Sequence, residues 1–392
     1  MKLAIIVARY GREVLGGAET LARELAAHLP RPEFEVEVLT TCAINLDTWR
    51  NELPAGRTTL DGVPVRRFPI DHHFRDAARF RQLQFQFGTQ QPASRDDEYA
   101  WIDHSAHSPA LYAYLAQHGP EYDYLIFVPY LFGSTLYGAT LWPERSIIWP
   151  CLHDEPYARF LHVRLMLEMC RGLLFITEPE RQLALGKLGI RQPRTEVVGL
   201  GVDQVVGQAD RFRQKFDLSD PFVLYAGRFD STKNLLELFN FFGDYKEQHA
   251  GDLKLVLLGS GPLTPPTRSD IVTLGFVSDD DKRDAFAAAA VVCQPSVWES
   301  FSIVLMEAWL AGKPVLVHGD CDVTRDHVRR SNGGLYYVTV DEFAGALDWL
   351  LAHAMERAQL GQQGREYVQR EYAWPRVIDR LRQTLQMWQA EP

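Results

Sequence analysis

Short hydrophobic runs alternate with amphipathic stretches along almost the whole chain. Residues 3–8 form the first apolar run, and the stretch after it carries apolar residues at helical spacing. Short runs bounded by Gly or Pro predict buried strands, whereas spacings of three and four predict amphipathic helices. The further predicted strands are residues 34–40, 62–68, 124–128, 146–149, 172–177, 196–198, 222–226, 254–258, 271–274, 291–293 and 315–317.

This alternation of strands and helices predicts a doubly wound parallel sheet. The pattern restarts near Gly201, and 392 residues are enough for two domains with separate cores. We therefore predict an α/β protein with two Rossmann-like domains, residues 1–200 and 201–375, followed by a final amphipathic helix at 376–392.

The stretch 291–316 combines a strand, a loop with Glu299, an apolar helix with Glu307, and another strand. A helix that is apolar almost all round is buried, and a buried carboxylate is costly unless something binds it. The helix start, capped by Ser300 or Ser302, would favour a phosphate, and the two carboxylates would suit sugar hydroxyls. Alternatively, Glu307 caps or pairs with a buried Arg or backbone group, and Glu299 is a solvated loop residue.

Other candidate residues follow the strands of the same predicted sheet. Arg228 and Lys233 lie in the strand-to-helix loop after residues 222–226, where two cations would suit a diphosphate. Their alternative role is that of two solvated loop cations. The Gly259 turn and the turn at Phe276 and Val277 also lie at carboxyl ends of strands, so these residues should converge on one crevice.

The N-terminal half offers three less specific signals. Gly16 and Gly17 precede a predicted helix and would let backbone approach a ligand, although they do not match G-x-G-x-x-G and could form a plain turn. His153 follows a strand end, where ligands bind in open α/β sheets, or it caps the next helix. Residues 71–108 are polar, aromatic and irregular in pattern, which is typical of a functional lid or binding segment. The role of the whole stretch 71–132 is left unassigned.

Composition limits the function classes. A formal net charge of −10 argues against general nucleic-acid binding but leaves room for a local basic site for a phosphorylated substrate. The five cysteines are far apart and form no CxxC pair, which favours reduced thiols in a cytosolic protein over structural zinc. No run approaches the length of a membrane span, and the first run is too short for a signal peptide. We expect a cytoplasmic protein and leave open a peripheral contact with the inner face of the membrane.

Five motifs occur in a characteristic order: GGAE at 16–19, AGRFDSTKN at 226–234, LGSGP at 258–262, LGFV at 274–277 and the E-x7-E pattern from Glu299 to Glu307. With these motifs the chain resembles a family 4 glycosyltransferase, the retaining class in which two Rossmann-like domains face a cleft (GT-B). The resemblance spans nearly the whole chain. It implies that residues 1–200 bind the acceptor, with helix 376–392 packing back on them, and that residues 201–375 bind the nucleotide-sugar donor.

The resemblance also implies residue roles. Arg228 and Lys233 would hold the donor diphosphate, Glu307 the ribose hydroxyls and Glu299 the transferred sugar, with His153 near that sugar. Further implied donor contacts are Gly16, Gly17, Phe276, Val277 and the backbone N–H groups of Phe301, Ser302 and Ile303. One departure is that Ser302 stands where a Gly often follows the Phe of the motif.

The implied activity is retaining transfer of a hexose from a UDP-, GDP- or TDP-linked donor to a hydroxyl of a saccharide or lipid-linked acceptor, in polysaccharide or glycoconjugate biosynthesis. The implied catalytic residues are His153, Arg228, Lys233 and Glu299. No metal or other cofactor is implied, because the arginine and the lysine would neutralise the diphosphate. Two alternatives are a nucleotide-sugar epimerase on the same architecture and a non-catalytic sugar-binding protein.

Overall fold

The computed structural model describes residues 1–14, 16–46, 48–73 and 75–390. The chain forms two compact units, Met1–Leu200 together with the stretch from Ile378 onward, and Gly201–Val377. Each unit contains one largely parallel sheet flanked by helices. The predicted α/β class with two Rossmann-like domains is therefore confirmed.

The first unit contains an eight-stranded sheet in the order β3-β4-β2-β1-β5-β6-β7-β8. All neighbouring strands are parallel except the β3–β4 hairpin at one edge. The strand order reverses between β1 and β5, which makes their carboxyl ends a topological switch point. The strands are β1 (Lys2–Val7), β2 (Glu35–Thr41), β3 (Gly56–Leu60), β4 (Val63–Phe68), β5 (Tyr124–Val128), β6 (Ser146–Ile148), β7 (Gly172–Phe175) and β8 (Thr195–Val197).

The segment 71–108, predicted to be irregular, contains two helices, so that prediction was wrong. Phe80, Leu83 and Phe87 form the buried face of the first of them, and Asp76 caps it by accepting bonds from two backbone N–H groups. Arg and Gln residues between the aromatic ones hid this periodicity. The helices of the unit are α1 (Gly17–His28), α2 (Ala77–Gly88), α3 (Arg95–Asp103), α4 (Pro109–His118), α5 (Gly133–Ala139), α6 (Leu161–Met169) and α7 (Glu178–Gln182).

The second unit contains a six-stranded, fully parallel sheet in the order β11-β10-β9-β12-β13-β14. This is the 3-2-1-4-5-6 strand order of Rossmann domains, with the switch point between β9 and β12. The central strand β9 is buried at every residue, as expected of a strand covered on both faces. The strands are β9 (Phe222–Ala226), β10 (Lys254–Leu258), β11 (Ile271–Gly275), β12 (Val291–Gln294), β13 (Val315–His318) and β14 (Gly334–Tyr337).

The C-terminal helix belongs mainly to the first unit. From Ile378 onward it packs on that unit: Tyr124 donates a hydrogen bond of 3.0 Å to the carbonyl of Leu385, and Arg382 pairs with Glu33 at 2.6 Å. The helices that precede and include it are α8 (Ala209–Phe216), α9 (Leu235–Gln248), α10 (Asp279–Ala288), α11 (Ile303–Leu310), α12 (Asp322–Ser331), α13 (Val340–Ala352), α14 (Ala354–Glu371) and α15 (Trp374–Ala390). Within the described residues, none of the helices is both long and apolar enough to cross a membrane.

Candidate functional site

The carboxyl ends of β9, β10 and β11 are joined by backbone hydrogen bonds. Gly227 N–H donates to the carbonyl of Leu258 at 2.9 Å, and Gly259 N–H donates to that of Gly275 at 2.8 Å. Gly259 has a φ of +131°, and a Cβ there would lie 1.8 Å from the carbonyl oxygen of Gly227. Only glycine allows this approach, so the turns after these strands form one connected rim.

Lys233 and Glu299 meet at the switch point of this sheet. Lys233 follows β9 and Glu299 follows the adjacent strand β12, and Lys233 Nζ donates to Glu299 Oε1 at 2.7 Å. Both side chains are largely buried, with exposed fractions of 21% and 11%. Gln294 Nε2 also donates to Glu299 Oε1, at 3.2 Å. Glu299 is therefore part of a partly buried polar network and not a solvated loop residue.

Arg228 lies in the same loop as Lys233 but is 70% exposed. Its guanidinium is 3.2 Å from Asp230 Oδ2, while Asp230 also accepts the backbone N–H of Thr232. The backbone is fixed more firmly than the side chain, because Tyr225 Oη donates to the carbonyl of Arg228 at 2.8 Å. Burial raises the pKa of Tyr225 well above its ordinary value, so it remains a neutral donor. This anchoring leaves the guanidinium facing solvent, where an anion can reach it.

Helix α11 begins in an unusual way. Ser302 is its N-cap residue in a left-handed conformation, with a φ of +68°, and its side chain makes no capping hydrogen bond. The prediction that Ser300 or Ser302 caps this helix was wrong, because an N-cap side chain needs an extended backbone and Ser302 Oγ instead lies 3.4 Å from Gln294 Nε2. The positive φ also explains how a Gly could occupy this position. The first N–H groups of an α-helix have no partner within the helix, so those near Phe301 and Ile303 can serve a ligand.

Glu307 on α11 forms an ion pair that the sequence did not suggest. Lys282 of α10 donates to Glu307 Oε1 at 2.7 Å. Glu307 Oε2 is buried and has no hydrogen-bond partner among the described residues. The alternative in which Glu307 pairs with a buried Arg or backbone group does not hold, and the pairing leaves one carboxylate oxygen available. Lys282 escaped notice because it follows three aspartates, a pattern that is typical of an exposed helix start.

Two large apolar side chains near these groups are exposed. Phe276 follows β11 and is 72% exposed, and Trp298, next to Glu299, is 52% exposed. Val277 beside Phe276 is partly buried. Exposed aromatic rings at the carboxyl edge of a sheet offer planar surfaces for a ligand, since single apolar residues elsewhere on a surface are seldom this large.

In the first unit, the acid of the GGAE motif has a structural role. Glu19 is buried and accepts from Arg9 Nε at 3.0 Å and from Arg9 Nη2 at 2.6 Å. A Cβ on Gly16 would lie 2.0 Å from Glu19 Oε2, so Gly16 makes room for this ion pair. Gly17 begins α1 and has open space around it, which suits the predicted approach of a ligand. Arg9 was missed by sequence reasoning, although a cation directly after a buried strand was a usable signal.

His153 follows β6 in a loop braced from below. Its Nδ1 lies 3.7 Å from Glu155 Oε1, which also accepts from Tyr130 Oη at 2.8 Å. Beneath the loop, the buried Glu180 accepts the backbone N–H of Leu152, next to His153, at 2.7 Å. Burial raises the pKa of Glu180 to about 7. His153 caps neither of the next two helical segments, whose N-caps are Glu155 and Phe160, so that alternative was wrong.

The predicted site residues thus fall into two groups. Arg228, Lys233, Glu299 and Glu307 share the carboxyl edge of the second sheet, together with the Phe276 turn, whereas Gly16, Gly17 and His153 belong to the first unit. Sequence reasoning missed Lys282 and Gln294, whose contacts arise only when separate strands and helices pack together.

Two family models match the chain in the same order as its two units. The model described as "Glycosyl transferase 4-like domain" matches residues 16–201, and "Glycosyl transferases group 1" matches residues 207–367. The chain belongs to the family 4 glycosyltransferases. Its resemblance to this family, drawn from the motifs, is therefore confirmed, and the protein is a glycosyltransferase.

Relatives of this glycosyltransferase agree with the assignment. An uncharacterized glycosyltransferase of Methanocaldococcus jannaschii is 25% identical over 405 residues, covering 96% of either chain. A phosphatidyl-myo-inositol mannosyltransferase of Mycobacterium leprae is 34% identical over 170 residues, which are 41% of this chain and 44% of the other.

Solved structures show the fold of this glycosyltransferase. Sucrose-phosphate synthase from Thermosynechococcus elongatus has a TM-score of 0.74 at 18% identity and covers all of both chains. Anabaena HepE in complex with UDP has a TM-score of 0.73 at 17% identity, covering 99% of this chain and 100% of the other. Similarity over full lengths at such low identity establishes the GT-B fold and no more than the fold.

Proposed function

We propose that this glycosyltransferase moves a hexose from a nucleotide-diphosphate sugar to a hydroxyl of a saccharide or lipid-linked acceptor, with retention of configuration. The observation that carries the proposal is the Lys233–Glu299 pair at the switch point, flanked by Arg228 and by the start of α11. This arrangement combines cations, helix N–H groups and a carboxylate within a single sheet edge. It suits a substrate that is anionic at one end and rich in hydroxyls at the other.

The donor diphosphate is assigned to Arg228, Lys233 and the first N–H groups of α11. Arg228 offers an exposed fork for phosphate oxygens, while Lys233 supplies a point charge held in place by Glu299. HepE, which shares the fold, has been solved with UDP and with UDP-glucose. That likeness supports a uridine diphosphate donor as the first candidate.

The sugar and ribose hydroxyls are assigned to the two glutamates. Lys233 and Gln294 both contact Glu299 Oε1, and we assign Glu299 Oε2 to a hydroxyl of the transferred sugar. Glu307 Oε2 is buried without a partner in the described part of the chain, and a ribose hydroxyl would satisfy it. The exposed ring of Phe276, with Val277 beside it, is assigned to the base.

In the proposed reaction, the bond from the anomeric carbon to the leaving phosphate oxygen breaks as the bond to the acceptor oxygen forms on the same face. Negative charge grows on the diphosphate, where Arg228 and Lys233 stabilise it. The leaving phosphate oxygen takes the acceptor proton, so no separate base is required. His153 keeps its predicted role near the transferred sugar. The cations carry the neutralising charge, and the proposal includes no metal or other cofactor.

The first test is thermal stabilisation by UDP, GDP, ADP and TDP, because a ligand that binds the native state raises its stability by mass action. The nucleotide that stabilises the protein names the donor class. Incubation of the matching nucleotide sugar with and without acceptors, with the anomeric configuration of the product read by NMR, then tests transfer and retention. Isomerised donor without acceptor would support an epimerase instead, and a protein stabilised by free sugars but by none of the nucleotides would not be a transferase.

A further inference from the structure

A pocket of about 330 Å³ lies in the first unit, away from every motif described above. It is formed by the loop before α2, by α2 itself and by the chain near Thr48. We call it the arginine pocket, after three of its side chains. The residues that define it are Thr48, Arg50, Arg75, Phe80, Arg81 and Gln84.

Arg75 is a fixed part of the arginine pocket. Its Nε donates to the carbonyl of His104 at 3.0 Å and its Nη1 to the carbonyl of Thr48 at 2.9 Å. Burial, and after it the charge of Arg81, lowers the pKa of Arg75. The fold therefore holds one positive charge in a partly buried place beside a second one, which is unfavourable until an anion arrives.

Arg50 and Arg81 are exposed at the pocket, and in the described ranges neither takes part in an ion pair. Arg79 on the same helix differs from them, because it forms an ion pair with Asp97. Asp76, which begins this helix, uses its carboxylate to accept the N–H groups of Ala78 and Arg79. The acid next in sequence to the pocket is thus already engaged, in a protein whose net charge is −10.

The chemistry of the arginine pocket matches a phosphate group. Guanidinium groups bind phosphate oxygens in pairs, and Thr48 and Gln84 add neutral donors. The buried ring of Phe80 supplies an apolar wall, with the Arg75 guanidinium 5.7 Å from its centroid. The volume is at the lower end of the range for small-molecule sites, about 300–1,000 Å³, and so suits one compact group.

We propose that the arginine pocket binds a phosphate group carried by the acceptor substrate. This inference rests on the proposed transferase function, since it assigns the pocket to the acceptor. It narrows the acceptor from any saccharide or lipid-linked hydroxyl compound to one with a phosphate near the accepting sugar. Sugar phosphates and polyprenyl-linked phosphates share this chemistry.

Arginine footprinting tests the site directly. Phenylglyoxal modifies accessible arginines, and peptide mass mapping reports each arginine separately. We expect inorganic phosphate to protect Arg50 and Arg81 but not Arg57, which is exposed on the edge strand β3. UDP is kept at saturation so that the donor site is occupied. Equal modification of Arg50 and Arg81 with and without phosphate would overturn the proposal.

Matched variants test the affinity. Arg81→Gln and Arg57→Gln remove the same charge from two exposed positions of the same unit. Calorimetry with inorganic phosphate should show at least about tenfold weaker binding for Arg81→Gln, since a hydrogen bond to a charged group is lost. The Arg57→Gln protein should bind phosphate like the wild type. Equal affinity in all three proteins would overturn the assignment.

Two further ligands identify the source of the phosphate. Tighter binding of a hexose phosphate than of inorganic phosphate would support a soluble acceptor, and tighter binding of a short-chain prenyl phosphate would support a lipid-linked one. Protection of Arg50 and Arg81 by anionic vesicles, but by none of the soluble phosphates, would overturn the proposal in favour of a membrane-facing surface.

The same preparations separate this proposal from the transferase proposal. Stabilisation by a nucleoside diphosphate reports on the second unit, whereas protection of Arg50 and Arg81 reports on the first. If phosphate protects them but no nucleotide binds, an anion site stands and its assignment to an acceptor falls. If UDP binds and phosphate gives no protection, the donor proposal stands and the arginine pocket proposal fails.

Discussion

Replacing Lys233 separates the structural and the chemical roles of the Lys233–Glu299 pair. Lys233→Met keeps most of the side-chain volume but leaves Glu299, which is only 11% exposed, without its cation. Breaking a fully buried pair costs about 3–5 kcal/mol and an exposed pair about 0–1 kcal/mol. Because this pair is largely but not fully buried, we expect Lys233→Met to lower the free energy of unfolding by about 1–3 kcal/mol.

The double variant Lys233→Met/Glu299→Gln should regain most of that stability, because no charge remains unpaired. It should not regain activity. Loss of a group that stabilises developing negative charge costs about 3–4 kcal/mol in the transition state, which corresponds to a fall in kcat of about 100- to 1,000-fold. Both the single and the double variant should therefore be inactive to this extent.

The assays are urea unfolding for stability and product formation with the donor named by the thermal screen. Lys215→Met is the matched control, since Lys215 is 54% exposed and pairs with Asp281 at 2.7 Å in the same unit. It should lower stability by no more than about 1 kcal/mol and leave turnover unchanged. Near-native turnover of Lys233→Met, or recovery of activity in the double variant, would refute the diphosphate role of Lys233.

Three further variants test other parts of the site. Glu307→Gln should weaken nucleotide binding by about tenfold in calorimetry, and an unchanged Kd would contradict its assignment to ribose. Gly259→Ala should lower the unfolding free energy by more than Gly251→Ala, because both have a positive φ but only the Cβ at position 259 would collide with a neighbour; equal losses would refute the need for close approach. Glu180 is protonated more readily in the folded state, with a pKa of about 7 against an ordinary 4.5, so its contribution makes stability fall as pH rises between these values. Glu180→Gln should flatten the dependence of unfolding free energy on pH in this window by up to about 3 kcal/mol, and an unchanged slope in a pH series of urea titrations would contradict the raised pKa.

Local patterns were enough to predict most strands of both sheets. Continuous apolar strands such as β9 and β5 are recognised easily, because both faces of a parallel sheet are covered. Strand β3 (Gly56–Leu60) was missed, since it is an edge strand with exposed, mostly polar residues and no alternation. Helix α2 was missed because its buried aromatic residues are separated by Arg and Gln.

The candidate site was predictable only in part. The positions of Arg228, Lys233, Glu299 and Glu307 follow from a general rule, since loops after parallel strands lie at one sheet edge. The rule does not say which side chains touch. That Lys233 contacts Glu299 depends on β9 and β12 being neighbours, although the two residues are 66 positions apart in the chain.

The sequence by itself determined the α/β class, the restart of the pattern near Gly201 and the family, because hydrophobic periodicity and short motifs are local properties of the chain. Only the tertiary structure decided which charges are paired: Glu307 with Lys282, Glu19 with Arg9, and Arg50 and Arg81 with no ion-pair partner in the part of the chain that the structure describes. The reason is physical. An ion pair depends on a distance of a few ångströms between side chains, and strand order and helix packing set that distance, not separation along the chain.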